Sequence, residues 1–286
     1  MACSTSVRFG AYIATHGIEH RLADVARASE EGGLDSLWVG EHSHIPVARA
    51  TPWPGGGELP DYYRRMLDPF VALTAFAVAT TTLKVGIGIT IVPQRDTISL
   101  AKSVASLDVV SKGRFLFGVG GGWNREEMTN HGVDFDLRWK IMDERIEALK
   151  VIWAKDEAEY HGEFVDFAPI WSWPKPATRP HPPILVGGSG AGAFRRVIAY
   201  GDEWMPVFSQ ARSFEREAEE LQRLAAASGR EPVPVTLFLA PTDAGRLSRW
   251  VEAGIDGFVF RVPPGGDPVD HVRRLGELGE TIRAKS

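Results

Sequence analysis

The feature that most constrains this chain is a regular alternation. Short, nearly unbroken apolar runs alternate with longer segments whose apolar residues recur at helical spacing. VRFGAYI (7–13) reads as a strand, and residues 19–33 read as a helix that ends on Gly32 and Gly33. LDSLWVG (34–40) is the next strand. Residues 68–82 form a helix with Asp68 as N-cap and Pro69 at its first position. Strands at 83–92 and 114–120 and helices at 96–111 and 138–154 continue the pattern. It breaks at 159–183 and resumes at ILVGG (184–188), running to the C-terminus as strand, helix, strand, helix.

About eight strand–helix units in roughly 250 residues is the size of a closed barrel. Continuous apolar strands are those of a parallel sheet covered on both faces. The expectation is therefore an α/β protein. It is a (β/α)8 TIM barrel of one domain over residues 1–286, with an insertion region in loops at about 43–67 and 155–183. An open doubly wound sheet is the alternative. The barrel is preferred because the order of elements shows no point of reversal.

Charge narrows the partners. A net charge of −5 argues against nucleic acid and against an anionic membrane, both of which want a basic face. No apolar stretch reaches the ~18 residues that a transmembrane helix needs. The N-terminal stretch lacks the charged-then-apolar order of a secretory signal. The single cysteine, Cys3, permits no internal disulfide and suits a cytoplasmic protein.

Barrel chemistry sits at the C-terminal ends of the strands. There the sequence offers Tyr12, Thr15 and His16, then Glu41, His42 and His44, then Thr90, Pro93, Gln94 and Arg95. Later ends carry Gly120, Gly121, Gly122, Trp123 and Asn124, then Gly187, Gly188, Ser189 and Gly190, and finally Phe208 and Arg261. Glycines, aromatics and amides dominate, which suits a flat neutral or anionic ligand better than hydrolysis. ILVGGSGAGAFRR runs a strand through glycines directly into a helix, whose first N–H groups favour an anion. A plain tight turn is the other reading. The spacing Gly188-x-Gly190-x-x-Ala193 also fits a dinucleotide fingerprint, but that motif opens a first βαβ unit and this one lies late in the chain. Glu41, His42 and His44 could ligate a metal, or His42 could hydrogen-bond a substrate.

At this point the chain resembles a family. LDSLWVGEH, LKVGIGITIVPQRDTISLAKSVASLDVVSKGRFLFGVGGGWNREEM, YHGEFVDF and PKPATRPHPPILVGGSG are similar to segments of the bacterial luciferase-like flavin monooxygenase superfamily. More narrowly they resemble its branch of oxidoreductases dependent on the deazaflavin coenzyme F420. The resemblance runs from about residue 7 to about residue 210. It implies a (β/α)8 barrel and a bound flavin or deazaflavin. It further implies a bulge, often with a non-prolyl cis peptide, at Gly88, Ile89 and Thr90, backing the middle ring of the cofactor. Gly120, Gly121, Gly122, Trp123 and Asn124 map to the cofactor-lining segment, where the glycines would leave room for the ring or ribityl chain. Gly187, Gly188 and Ser189 map to the phosphate turn. Glu41 and His42 match an acid–histidine pair after the second strand. The superfamily's sugar-phosphate dehydrogenases carry a catalytic Glu near the fourth-strand glycines. This sequence has Gly122, Trp123 and Asn124 there, so the likeness does not extend to glucose 6-phosphate.

The function these residues imply is F420-dependent hydride transfer to or from a small organic substrate. In it His42 hydrogen-bonds or protonates the substrate, Glu41 orients His42, and Trp53, Tyr62 and Tyr63 cover the pocket. F420 carries a longer acidic tail than FMN, for which Arg95, Lys175, Arg195 and Arg196 are the candidates. The alternatives are an FMNH2-dependent two-component monooxygenase that uses oxygen, and a non-catalytic flavin-binding protein. Dimers are common in that superfamily, and residues 68–82 could supply either a homodimer face or a core helix.

Overall fold

The structure, a computed structural model, describes residues 7–284, so Cys3 lies outside the described residues. The expected strands appear as β1 (Arg8–Tyr12), β2 (Ser36–Val39), β3 (Lys84–Ile91) and β4 (Phe115–Gly120), followed after the insertion by β7 (Ile184–Gly187), β8 (Glu203–Met205), β9 (Thr236–Ala240) and β10 (Gly257–Arg261). All eight lie in one parallel sheet in the order β8-β7-β4-β3-β2-β1-β10-β9. Two isolated parallel bridges, Trp204 with Val235 and Val207 with Phe238, join its ends. Across that seam Phe238 N donates to Pro206 O and Phe208 N donates to Phe238 O, both at 2.8 Å. The sheet is thus a barrel, and the open doubly wound alternative falls.

The helices follow their strands: α1 (Leu22–Glu31), α2 (Pro69–Ala79), α3 (Thr97–Val110), α4 (Arg125–Asn130), α5 (Arg138–Ala154), α6 (Gly190–Tyr200), α7 (Phe214–Ala227), α8 (Ala244–Glu252) and α9 (Pro268–Arg283). Their starts obey local chemistry. The side chains of Asp68, Asp96, Asn124, Asp243 and Asp267 accept from first-turn N–H groups of α2, α3, α4, α8 and α9. One side of α2 is core, with Phe70, Leu73 and Phe76 buried, while Val71 and Val78 are exposed.

Two apolar clusters result. The larger lies between strands and helices. The smaller joins Tyr12, Trp38, Leu116, Leu185, Met205, Phe238 and Val259, one from each of seven strands, with Ile89 of the eighth packed against them. That is the filled interior of a barrel rather than a pore.

The insertion is more ordered than a loop. Residues Glu157–His161 (β5) and Asp166–Trp171 (β6) pair as an antiparallel hairpin outside the barrel. In the other insertion a short 3-10 helix, Asp61–Arg65, lies within the 43–67 segment. Among the described residues no helix is long and apolar enough to cross a membrane.

Candidate active site

The C-terminal end of the barrel holds a cavity of about 520 Å3, within the ordinary range for small-molecule sites. Tyr12, Glu41, His42, Gly88, Ile89, Gly122, Trp123, Phe238 and Arg261 line it, and Trp53, Tyr63 and Met66 of the 43–67 segment cover it. Thr90, Gly120, Gly121 and Asn124 lie buried behind that wall, whereas Gly188 and Ser189 are exposed at the start of α6.

β3 carries the irregularity expected of it. Its register to β4 shifts between Ile87 and Thr90, and the Gly88–Ile89 peptide is cis. The ring of Phe238 lies where a side chain on Gly88 would begin, so only glycine fits there. Phe238 reaches inward from a strand whose next residue, Leu239, sits at φ 58°, the left-handed region that a leucine seldom adopts.

The β4 glycines have a different reason from the one the sequence suggests. A Cβ on Gly120 would collide with Ile89, and one on Gly121 would lie 2.8 Å from the ring of Trp139. On Gly122, at φ 71°, it would lie 2.7 Å from Ile91 and 2.8 Å from Met128. The space beside these glycines is therefore filled by the protein's own side chains, which press onto bare backbone.

His42 is the best-positioned polar group of the cavity. Its Nδ1 is 2.6 Å from Glu127 Oε2, and Trp123 Nε1 donates to its Nε2 at 3.2 Å. An indole N–H can only donate, so Nε2 presents its lone pair and Nδ1 carries the hydrogen given to Glu127. The rings of Tyr63 and Trp123 flank the imidazole, with centroids 5.2 and 5.5 Å away. The Glu127 side chain is 1% exposed and also accepts from Gln94 Nε2 and Ser43 N, both at 3.1 Å. Burial alone would raise its pKa. The hydrogen bond from His42, with the Gln94 and Ser43 donors, outweighs burial and holds it below the usual carboxylate range.

Glu127 was not among the residues singled out from sequence, and it takes the place expected for Glu41. The Glu41 carboxylate points into the wall, where Oε2 accepts from Ile91 N at 2.7 Å and Oε1 pairs with Arg95 Nε. Arg95 continues to Asp68 at 2.9 Å. Glu41 thus ties β2 to the end of β3 and, through Arg95, to the cap of α2. The one local signal for Glu127 was its place three residues after the N-cap Asn124, where an acid often reaches back to the cap. Here the Asn124 side chain accepts from Glu127 N at 3.3 Å, while the carboxylate turns across to His42.

The other expected basic groups are engaged. Arg195 and Arg196 both pair with Asp143, at 2.9 and 2.7 Å. Lys175 is buried and donates to the carbonyls of Ile152 and Lys155. His44 is set apart from the cavity wall. Its Nδ1 lies 2.9 Å from Ser43 Oγ, which is also 2.6 Å from His131 Nε2.

The covering segment is pinned at both ends. Ala50 N and Thr51 N donate to Glu126 Oε1 at 2.7 and 3.1 Å, and Leu67 N donates to Thr15 Oγ1 at 2.8 Å. Between these pins Trp53 meets Tyr63 edge-on, and Tyr63 stacks on Tyr62 with centroids 4.6 Å apart.

Barrel, bulged third strand and buried histidine define a member of a known class. Residues 2–248 match the luciferase-like monooxygenase family, and the chain belongs to it. An uncharacterized protein of Mycobacterium tuberculosis (strain ATCC 25618 / H37Rv) is 38% identical over 261 residues, covering 88% of this chain and 92% of that one. The FMNH(2)-dependent dimethylsulfone monooxygenase of Pseudomonas putida is 31% identical over 185 residues, which span 63% of this chain and 51% of that one. Among solved structures, an F420-dependent secondary alcohol dehydrogenase in complex with an F420–acetone adduct superposes with a TM-score of 0.78. It does so at 16% identity, over 97% of this chain and 99% of that one, a likeness of fold. The family makes this an enzyme of the oxidoreductase or monooxygenase type.

Proposed function

We propose that the protein is an F420-dependent oxidoreductase, moving a hydride between the deazaflavin and a small organic substrate. The observation that carries the reading is His42 on the wall of a covered cavity, bonded from behind by the buried Glu127. Interconverting a hydroxyl and a carbonyl by hydride transfer also moves one proton, and such a pair is suited to handle it.

Two features support a ring compound with a phosphate tail. Thr90 Oγ1 and Asn124 Nδ2 are buried behind the wall without a hydrogen-bond partner among the described residues. α6 starts at Ser189 with no side-chain cap, and a Cβ on Gly190 would meet nothing within 4 Å. The first N–H groups of such a helix favour an anion. In this reading Gly88, Ile89 and Thr90 back the ring, Gly122 and Trp123 line it with Asn124 behind them, and Gly187, Gly188 and Ser189 hold the phosphate. The cofactor, when bound, supplies the hydride chemistry. His42 takes the substrate's hydroxyl proton on Nε2, or returns it in the reverse direction, once the substrate displaces the Trp123 N–H that fills that lone pair. Glu127 keeps the Nδ1 hydrogen in place and stabilises the imidazolium that forms. Trp53 and Tyr63 keep water out.

One observation favours FMN as the second reading. Arg95, Arg195, Arg196 and Lys175, the groups set aside for the acidic tail of F420, are all committed to partners within the protein. Titrating the purified protein with F420 and with FMN, followed by fluorescence, separates the two. Tighter binding of F420 by about tenfold or more supports the first reading. The reverse result moves the protein to oxygen-using flavin chemistry, and binding of neither sinks both.

A further inference from the structure

Arg261, at the end of β10, is the only arginine or lysine on the cavity wall among the described residues. It has no acid partner among the described residues. Its Nη1 donates to Tyr62 Oη at 2.9 Å, and its guanidinium carbon lies 5.8 Å from the centroid of the Tyr12 ring. Arg21, which lines the neighbouring cavity with it, pairs with Asp267 at 3.2 Å. Arg261 also lines an adjoining cavity of about 660 Å3, whose wall includes Ile13, Ile18, Val262 and Pro263. Tyr12 stands with it between the two spaces, and Tyr62 lines the adjoining one.

A guanidinium has five N–H donors in a planar fork, and this one spends a single donor on a neutral phenol. The partner that would use the fork fully is a carboxylate, which takes two parallel N–H bonds. We propose that Arg261 anchors the carboxylate of an organic-acid substrate, with the Tyr62 hydroxyl holding that position until the acid arrives. A single unpaired cation matches a monoanion, whereas a phosphate dianion would call for a second. The apolar and aromatic walls match an apolar body on the acid. Tyr62 stacks on Tyr63, which in turn flanks His42, so the anchor and the proton-handling group lie at the two ends of one aromatic chain. Binding of the acid would release Tyr62 and so report occupancy to the covering segment.

This proposal rests on the reading of the cavity as a substrate pocket, so its test is run on protein without added cofactor. Calorimetric titration with benzoate and hexanoate is compared with benzamide and hexanamide. The expected result is an acid preference of about tenfold or more. Arg261→Gln should bring acid and amide to within about twofold of one another. Arg261→Lys should keep part of the preference, and Tyr62→Phe should keep it or increase it. Equal binding of acid and amide, binding of none, or a preference that survives Arg261→Gln overturns the proposal. So does an Arg261→Gln protein that loses F420 or FMN affinity instead, which would assign the arginine to the cofactor. If Arg261→Gln does not fold, the Arg261→Lys and Tyr62→Phe titrations decide. A protein that binds neither cofactor yet prefers acids would sink the hydride-transfer reading and spare this one.

Discussion

His42 and Glu127, 85 positions apart in the chain, share a 2.6 Å hydrogen bond inside the barrel mouth. The bond fixes the imidazole from the end of β2 with a carboxylate from the helix after β4. Trp123, four residues before Glu127, closes on the other ring nitrogen. One short stretch, Trp123 to Glu127, therefore sets both nitrogens of a histidine that belongs to another βα unit.

If His42 moves the substrate proton, His42→Ala should lower kcat by about 100- to 10,000-fold while leaving cofactor binding intact. Glu127→Gln keeps the shape and an acceptor oxygen but removes the charge, so its loss should fall at or below the lower end of that range. Steady-state kinetics with a parallel fluorescence titration checks both. Unchanged turnover in His42→Ala with intact cofactor binding would remove the proton-transfer role.

Gly88 has no space for a side chain because the ring of Phe238 occupies it. Gly88→Ala should cost about 1–3 kcal/mol of stability, the usual range for overpacking a filled core. Adding Phe238→Leu should return part of that loss, because the two positions touch and their effects do not add. Chemical denaturation of the two single variants and the double variant measures the coupling. Strict additivity would show that the clash is relieved elsewhere.

Glu30, at the end of α1, accepts hydrogen bonds from Thr81 N, Thr82 N, Thr82 Oγ1 and Leu83 N, tying α1 to the turn before β3. Burial opposes its ionisation, but these donors prevail and lower its pKa to about 2. The folded value is depressed, so the stabilisation is fully present above the ordinary glutamate value, near ~4.3. It is lost as pH falls from there toward about 2. Glu30→Gln should therefore be less stable than the parent at pH 7. The gap in urea midpoint should narrow as the pH is lowered from about 5 toward 3. A gap that stays constant with pH would show that the carboxylate charge contributes nothing.

The barrel was legible in the chain because its rules are local. An apolar run covered on both faces, an Asp before a helix and a glycine after one announce themselves within a few residues. Asp68 with Pro69, Asp96 and the α5 boundaries at 138–154 are read directly in that way. The family and its third-strand bulge were legible through quoted motifs, and the cis Gly88–Ile89 peptide falls within the segment they mark.

What the sequence could not supply were contacts between distant units. Nothing near Glu41 says that Arg95 and Ile91 N will claim its carboxylate. Nothing near Glu127 says that it will pass over its own helix cap to reach His42. The glycines Gly120 to Gly122 looked like room left for a ligand. Only the closed barrel shows Ile89, Trp139, Ile91 and Met128 lying against them. Chain order and periodicity determined which strands and helices form, because those depend on short-range backbone and burial preferences. Tertiary structure decided which carboxylate meets which base, because hydrogen bonding and desolvation are settled only when separate strand ends converge.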